Sequence, residues 1–411
     1  MQARAAIYLD SNASAPLKPQ VSAALSAYFI PASKTTPVLT PNPSSIHMHG
    51  REAKRILADA REKIAYSIGG STVDPEQLVF TSSGSEANQL AIRSVLEKKM
   101  ADTGKAHWIL TAVEHDSVLQ LQKWFESRGG RVSVLPVNSE GLSRIEALAE
   151  TISADTALIS SVWVNNETGV ITPLAEISRL AHDHGIPLHV DAAQAWGKLE
   201  VDVTKLGAQL VTFSAHKIGA LAGTGALWLA RKTTVQSVIF GKQEKGRRGG
   251  TENLVGIMAA GVAAENLTPM DWAMKVRPLR DQLEREILAR IEGAHINGSG
   301  SERVANTLNL SFDGVVGDGL IMALDLEGYS VSSGSACASG VLEPSHVLMA
   351  MGQSREQAMS ATRVSLSEIN TWNELEGFVA ALSRAVERAR AAKKNFGLTP
   401  HLGRLGETQK M

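Results

Sequence analysis

Between residues 77 and 230 short apolar runs alternate with stretches of helical spacing. The runs are QLVFT (77–81), HWILTAV (107–113), RVSVLPV (131–137), ALISSVWV (157–164), PLHVD (187–191), QLVTFS (209–214) and GALWLA (225–230). They are nearly continuous in hydrophobicity, as strands covered on both faces must be, and they read as buried strands. Helical patterns lie between several of them, including 85–99, opened by Ser85 and Glu86, and 173–184 after Pro173. Parallel neighbours need crossover connections, so this rhythm predicts an α/β fold with a large, mostly parallel sheet. An earlier helix is predicted from Ala53, through Ile56, Leu57, Ala60, Ile64 and Ile68, to a glycine stop at Gly69-Gly70.

The pattern changes after about residue 267. A helix at 275–292 precedes a strand, NTLNLSF (306–312), and a helix at 317–327. A further strand, TRVSL (362–366), leads to a terminal helix whose Trp372, Leu375, Phe378, Val379, Leu382 and Val386 form one apolar stripe. The expected division is a large domain over 21–267 and a smaller α+β domain of 1–20 with 268–395. Residues 30–45 read as a Pro/Thr/Ser-rich loop, and 396–411 as a flexible tail.

Lys and Arg number 41 against 42 Asp and Glu, so no global field draws the chain to nucleic acid or an anionic membrane. No apolar stretch approaches the ~20 residues of a membrane span, and the first residues carry no apolar signal segment. A soluble cytoplasmic protein is expected. The single cysteine, Cys337, excludes an intrachain disulfide and a thiolate cluster. His47/His49 and His182/His184 are spaced as pairs with no third ligand nearby, so no metal site is expected.

In such a sheet ligands bind beyond the carboxyl ends of the strands. There the sequence places SSGSEAN, a turn opening a helix; Glu114-His115-Asp116; Asn165-Asn166-Glu167; Asp191 with Gln194 just beyond; and Ser214-Ala215-His216-Lys217. Each has a plain structural alternative: Ser85 a helix cap, His115 a surface residue, Asp191 a cap, Lys217 a solvated lysine. Together they supply an anion site, a carboxylate and a lysine, the set that pyridoxal phosphate requires.

The segments YLDSNASAP, NPSSIHMHGREAK, TSSGSEANQLAI, EHDSVL, VNNETGVI, HVDAAQAWGK, FSAHKIG, GTENL, SSGSACASG and ATRVSLS, in this order, span nearly the whole chain. The chain resembles the fold-type-I, class V aminotransferase-like enzymes, and among them the cysteine desulfurases of the NifS/IscS type. The resemblance implies a PLP-dependent transferase fold, with Lys217 holding pyridoxal 5'-phosphate as a Schiff base. It implies Asp191 at the pyridine nitrogen, Gln194 at the phenolic oxygen and His115 stacked on the ring, near enough for proton transfer. Gly84, Ser85, Ser214 and His216 would hold the phosphate, and Thr251 would reach the phosphate of a neighbouring subunit in a homodimer. Asn166 and Arg363 would take the substrate carboxylate; from sequence alone Arg363 reads more readily as a structural ion pair.

Cys337 sits among serines and glycines, a setting for a mobile loop and not for a core. The resemblance implies that its thiolate takes sulfur from L-cysteine, leaving alanine, and passes the persulfide to an acceptor such as an iron–sulfur scaffold. Selenocysteine lyase, or a related class V aminotransferase, is the alternative. The chain departs from the family pattern at IGALAGTGAL after Lys217, in a longer loop at 30–41, and in its C-terminal tail.

Overall fold

The computed structural model describes residues 6–30, 41–315, 317–333 and 343–396. Cys337 lies outside the described residues, as do nearly all of the 30–41 loop and the tail expected over 396–411. In chain order the strands are β1 (Ile7–Tyr8), β2 (Leu78–Thr81), β3 (His107–Thr111), β4 (Arg131–Leu135), β5 (Thr156–Val162) and β6 (Leu188–Asp191). There follow β7 (Leu210–Ser214), β8 (Gly225–Leu229), β9 (Ala294–Ile296), β10 (Thr307–Phe312), β11 (Tyr329–Ser330) and β12 (Thr362–Ser365).

Seven strands form one sheet in the order β2-β8-β7-β6-β5-β3-β4, and only β8 runs against its neighbours. Every residue of β2, β3, β5, β6, β7 and β8 is buried, as their unbroken apolar character predicts. The predicted buried strand at 131–137 is corrected: β4 is one of the sheet's two outer strands, with Arg131 and Val134 exposed. Because β2, β3, β5, β6 and β7 are parallel, their last residues Thr81, Thr111, Val162, Asp191 and Ser214 come out on one side of the sheet. The functional segments follow those residues.

At the other edge β2 is closed by side chains in place of a further strand. The Phe80 N–H donates to Glu244 Oε2 at 2.9 Å, and the Leu78 carbonyl accepts from Arg61 Nη1 at 2.9 Å and Arg247 Nη2 at 3.1 Å. Arg61 also pairs with Glu244 and lies 4.4 Å over the Phe80 ring. An edge satisfied in this way offers no free ladder groups at these positions.

A second core gathers Leu9 with apolar residues from 276 to 386 around the antiparallel sheet β12-β10-β9. The terminal helix Trp372–Phe396 contributes Leu375, Phe378, Val379, Leu382 and Val386, all fully buried. β1 pairs with β11 and Asp10 bridges to Ser365, so the first residues lie beside β12. The segment after the Cys337 loop packs elsewhere: Val347, Leu348 and Met351 join Val113, Val137 and Val162 at the strand ends of the large sheet. Among the described residues no helix is long and apolar enough to cross a membrane.

Candidate active site

A cavity of about 290 Å³ opens at the carboxyl ends of β2, β3, β5, β6 and β7. Gly84, Ser85, His115, Asn166, Asp191, Gln194, Ser214, His216, Lys217 and Arg363 line it, drawn from across 280 residues of sequence. Thr251 does not line it; it is exposed on the loop following Gly249-Gly250.

The predicted helix opening at Ser85 is corrected by one turn position. Ser83 is the cap, its hydroxyl accepting from Glu86 N at 3.1 Å, and the helix runs Gly84–Thr103. Ser85 is thereby released from capping, in a first turn whose orphan N–H groups favour an anion. Gly84 brings the backbone close to the end of β7: a Cβ there would stand 3.2 Å from Ser214 Cβ, tighter than ordinary contact. His216, beside it, is held down to about 4 by burial and by the Lys217 charge, so it is a neutral ring near neutral pH.

Asp191 ends β6 and is 4% exposed. Its two oxygens accept from neutral donors, Asn88 Nδ2 at 2.8 Å and the Ala193 N–H at 2.9 Å. Among the described residues Asp191 makes no ion pair, an arrangement that suits a protonated ring nitrogen. His115 is exposed and caps the short helix Asp116–Leu119, its Nδ1 accepting from Ser117 N at 3.1 Å. In the neutral ring the proton therefore sits on Nε2.

Lys217 stands in the short turn Ala215–Ile218 after β7. Its Nζ donates to the carbonyls of Asn12 at 2.7 Å and Ala13 at 2.9 Å. Burial, followed by the Arg363 charge, lowers its pKa to about 8. The atypical loop after it is pinned by Asn253 Nδ2 to the Gly223 carbonyl at 3.0 Å, and Lys217 remains in the cavity.

Arg363, on β12, is 6% exposed. Nη2 donates to Asp10 Oδ1 at 2.7 Å and Nη1 to the Asn166 carbonyl at 3.1 Å, while Nε has no partner. The ion-pair alternative is thus present, and the same guanidinium also lines the cavity. Asn88 Oδ1 is a second buried polar atom without a partner. Orphaned buried groups on cavity residues are a signature of a ligand.

Three residues missed in the sequence complete the site. Asn12 links the layers: its Nδ2 donates to Thr307 Oγ1 at 2.9 Å and its carbonyl receives Lys217 and Gln194 Nε2. Asn88 lies on the helix face that also buries Ala87 and Ala91, and a polar residue on that stripe was its one local signal. Lys198 is buried in the turn after Gln194, within the segment DAAQAWGK.

A lysine amine, a buried carboxylate, a helix N-terminus opening at a glycine and two orphaned polar atoms fit pyridoxal phosphate. The comparisons agree. The family described as aminotransferase class-V matches residues 7–378. A cysteine desulfurase of Nostoc sp. (strain PCC 7120) is 38% identical over 388 residues, 94% of each chain. A solved structure of a NifS-like protein superposes with a TM-score of 0.84 at 30% identity, covering 93% of this chain and 100% of that one. A structure of SspA in complex with cysteine has a TM-score of 0.74 at 31% identity, covering 89% and 99%. With this fold, this site and these relatives, the chain belongs to the class V aminotransferase family, among the cysteine desulfurases of the NifS/IscS type.

Proposed function

We propose that the protein removes sulfur from L-cysteine, giving L-alanine and a persulfide on Cys337. The observation that carries this is the convergence of Lys217, Asp191 and Arg363 with the Gly84–Ser85 turn on one cavity. Lys217 would hold the cofactor, Asp191 its pyridine nitrogen and Gln194 its phenolic oxygen. His115 would cover the ring, and Gly84, Ser85, Ser214 and His216 would take the phosphate. Bound there, pyridoxal phosphate supplies an electron sink that acidifies the substrate α-carbon.

The chain's own groups do the rest. Arg363 and Asn166 orient the substrate carboxylate, Arg363 through a charge-assisted fork. Lys217 Nζ takes the α-proton; an amine lowered to about 8 has a far larger neutral fraction near neutral pH than an ordinary lysine. The Cys337 thiolate attacks the substrate sulfur. The S–S bond forms as the Cβ–S bond breaks, and the carbon keeps the electron pair and takes a proton, leaving alanine. A second thiolate then lifts the outer sulfur from Cys337.

The proposed active unit is a homodimer in the cytoplasm, where a lone thiol stays reduced. Exposed Thr251 would serve the neighbouring subunit's phosphate; two residues before it, the Gly249 N–H bonds the carbonyl of exposed Ile239. The acceptor is proposed to be a protein, such as an iron–sulfur scaffold. The decisive test incubates pyridoxal phosphate-loaded protein with L-cysteine and a reductant, beside Cys337→Ala. Equimolar alanine and sulfide, lost in the variant while its colour persists, is the expected result. Activity surviving the substitution would refute the role of Cys337.

A further inference from the structure

Beneath the cavity lies a buried lysine that the reaction does not use. Lys198 is 6% exposed, and its Nζ donates to two neutral amide oxygens, Asn12 Oδ1 at 2.6 Å and Gln194 Oε1. Burial comes first, then the charges of Lys217 and Arg363, in holding its proton affinity well below that of an ordinary lysine. A methionine would fill this volume without desolvating an amine, so the amine calls for an explanation beyond packing.

The turn carrying Lys198 is specified. The Ala192 carbonyl accepts from the N–H groups of Ala195 and Trp196, and the Ala195 carbonyl from those of Lys198 and Leu199. Gly197 between them has a φ of 79°, and a Cβ there would meet Ile218 Cγ2 at 2.9 Å. The turn thus packs against the residue next to Lys217 and returns Lys198 beneath Gln194.

An amide can present either its oxygen or its nitrogen, and its environment decides which. A protonated lysine only donates. Even as a neutral amine its two N–H groups match its two acceptors. In the structure both oxygens turn toward Lys198, which sends the amide nitrogens the other way. Asn12 Nδ2 goes to Thr307 Oγ1 and to the Asn166 carbonyl, at 2.9 and 3.2 Å. Gln194 Nε2 goes to the Asn12 carbonyl at 2.9 Å, the same oxygen that receives Lys217 Nζ.

We propose that Lys198 is a positioning residue: it fixes the polarity of Gln194 so that an N–H, not a carbonyl, stands beside Lys217 and faces the cofactor's phenolic oxygen. The inference rests on the pyridoxal phosphate reading above. Without Lys198 the Gln194 amide is free to flip and set a lone pair against that oxygen. The proton on the nitrogen joining Lys217 to the cofactor would then be held more tightly.

The test is a pH titration of the visible absorbance of the loaded enzyme, for wild type, Lys198→Met, Gln194→Ala and the double variant. Lys198→Gln, polar and smaller, is the second substitution should the methionine variant fold poorly. The expected result is an upward shift of the midpoint by about one pH unit, tenfold in proton affinity. In the Gln194→Ala background the further shift from Lys198→Met should vanish, because the effect acts through that amide. An unmoved midpoint with only a lower melting temperature would reduce Lys198 to a structural part. An equal shift in both backgrounds would show a bare charge effect and also overturn the proposal. Wild type that gives no visible band with added pyridoxal phosphate would instead fail the cofactor reading itself.

Discussion

Arg363 is shared between the protein and its substrate, and that sharing can be measured. The guanidinium gives Nη2 to Asp10 and Nη1 to the Asn166 carbonyl, and keeps Nε without a partner. In Arg363→Lys the charge persists and the ammonium can still reach Asp10, but the fork is lost. A hydrogen bond to a charged group contributes about 1.5–3 kcal/mol, and 1.4 kcal/mol is tenfold, so KM for cysteine should rise roughly 10- to 100-fold. Because the carboxylate is gripped alike before and during the reaction, kcat should change by no more than about threefold. Asp10→Asn should act oppositely: it keeps an acceptor for Nη2 and removes the anion that competes with substrate. At ~1 kcal/mol for a partly exposed pair, KM should fall by about fivefold. The assay is steady-state alanine formation against cysteine concentration, with pyridoxal phosphate saturating. If Arg363→Lys lowers kcat at constant KM, or Asp10→Asn raises KM as well, the pair is scaffolding and the carboxylate binds elsewhere.

Asn88→Ala removes the side-chain donor on Asp191, and cofactor affinity, followed by fluorescence titration of the apoprotein, should weaken by about tenfold. Unchanged affinity would show that the Ala193 N–H alone holds the carboxylate. Glu114 gives a pH signature in stability. Burial, and then the Asp191 charge, push its carboxyl from 4.5 up to about 8, while its Oε1 accepts from Thr111 Oγ1 and Val162 N. A carboxyl raised in the fold contributes stability that is complete below 4.5 and lost as pH rises through about 8. Glu114→Gln should therefore gain on wild type in urea midpoint across that window; a pH-independent difference would show that Glu114 does not titrate there.

The strand ends were legible because two local signals coincide in them, an unbroken apolar run and a polar residue directly after it. Asp191, Ser214 and Lys217 were found in that way, and the parallel sheet brings them together. Arg363 follows no strand of that sheet; it entered through resemblance and was placed by β12. Ser83 was missed as the cap because any of three neighbouring serines satisfies the sequence rule, and only geometry selects one. Asn12 meets Asn166 across 154 residues and Thr307 across 295, and no periodicity records such contacts. The exposure of β4 was hidden for a related reason: RVSVL is as β-prone as its neighbours, and only its place in the sheet leaves it uncovered.

The closure of β2 by Glu244, Arg61 and Arg247 also has a place in time. Phe80 and its acceptor are 164 residues apart, and the neighbouring strand β8 pairs Leu78 with Trp228. On the ribosome, at about 5–20 residues per second, β2 would wait on the order of 10–30 s for β8 and Glu244, with only Arg61 already made. Through that interval the apolar run LVFT is an open template for another chain. Glu244 and Arg247 are thus the last parts of the sheet's edge to arrive, and productive folding depends on keeping that strand solitary until they do.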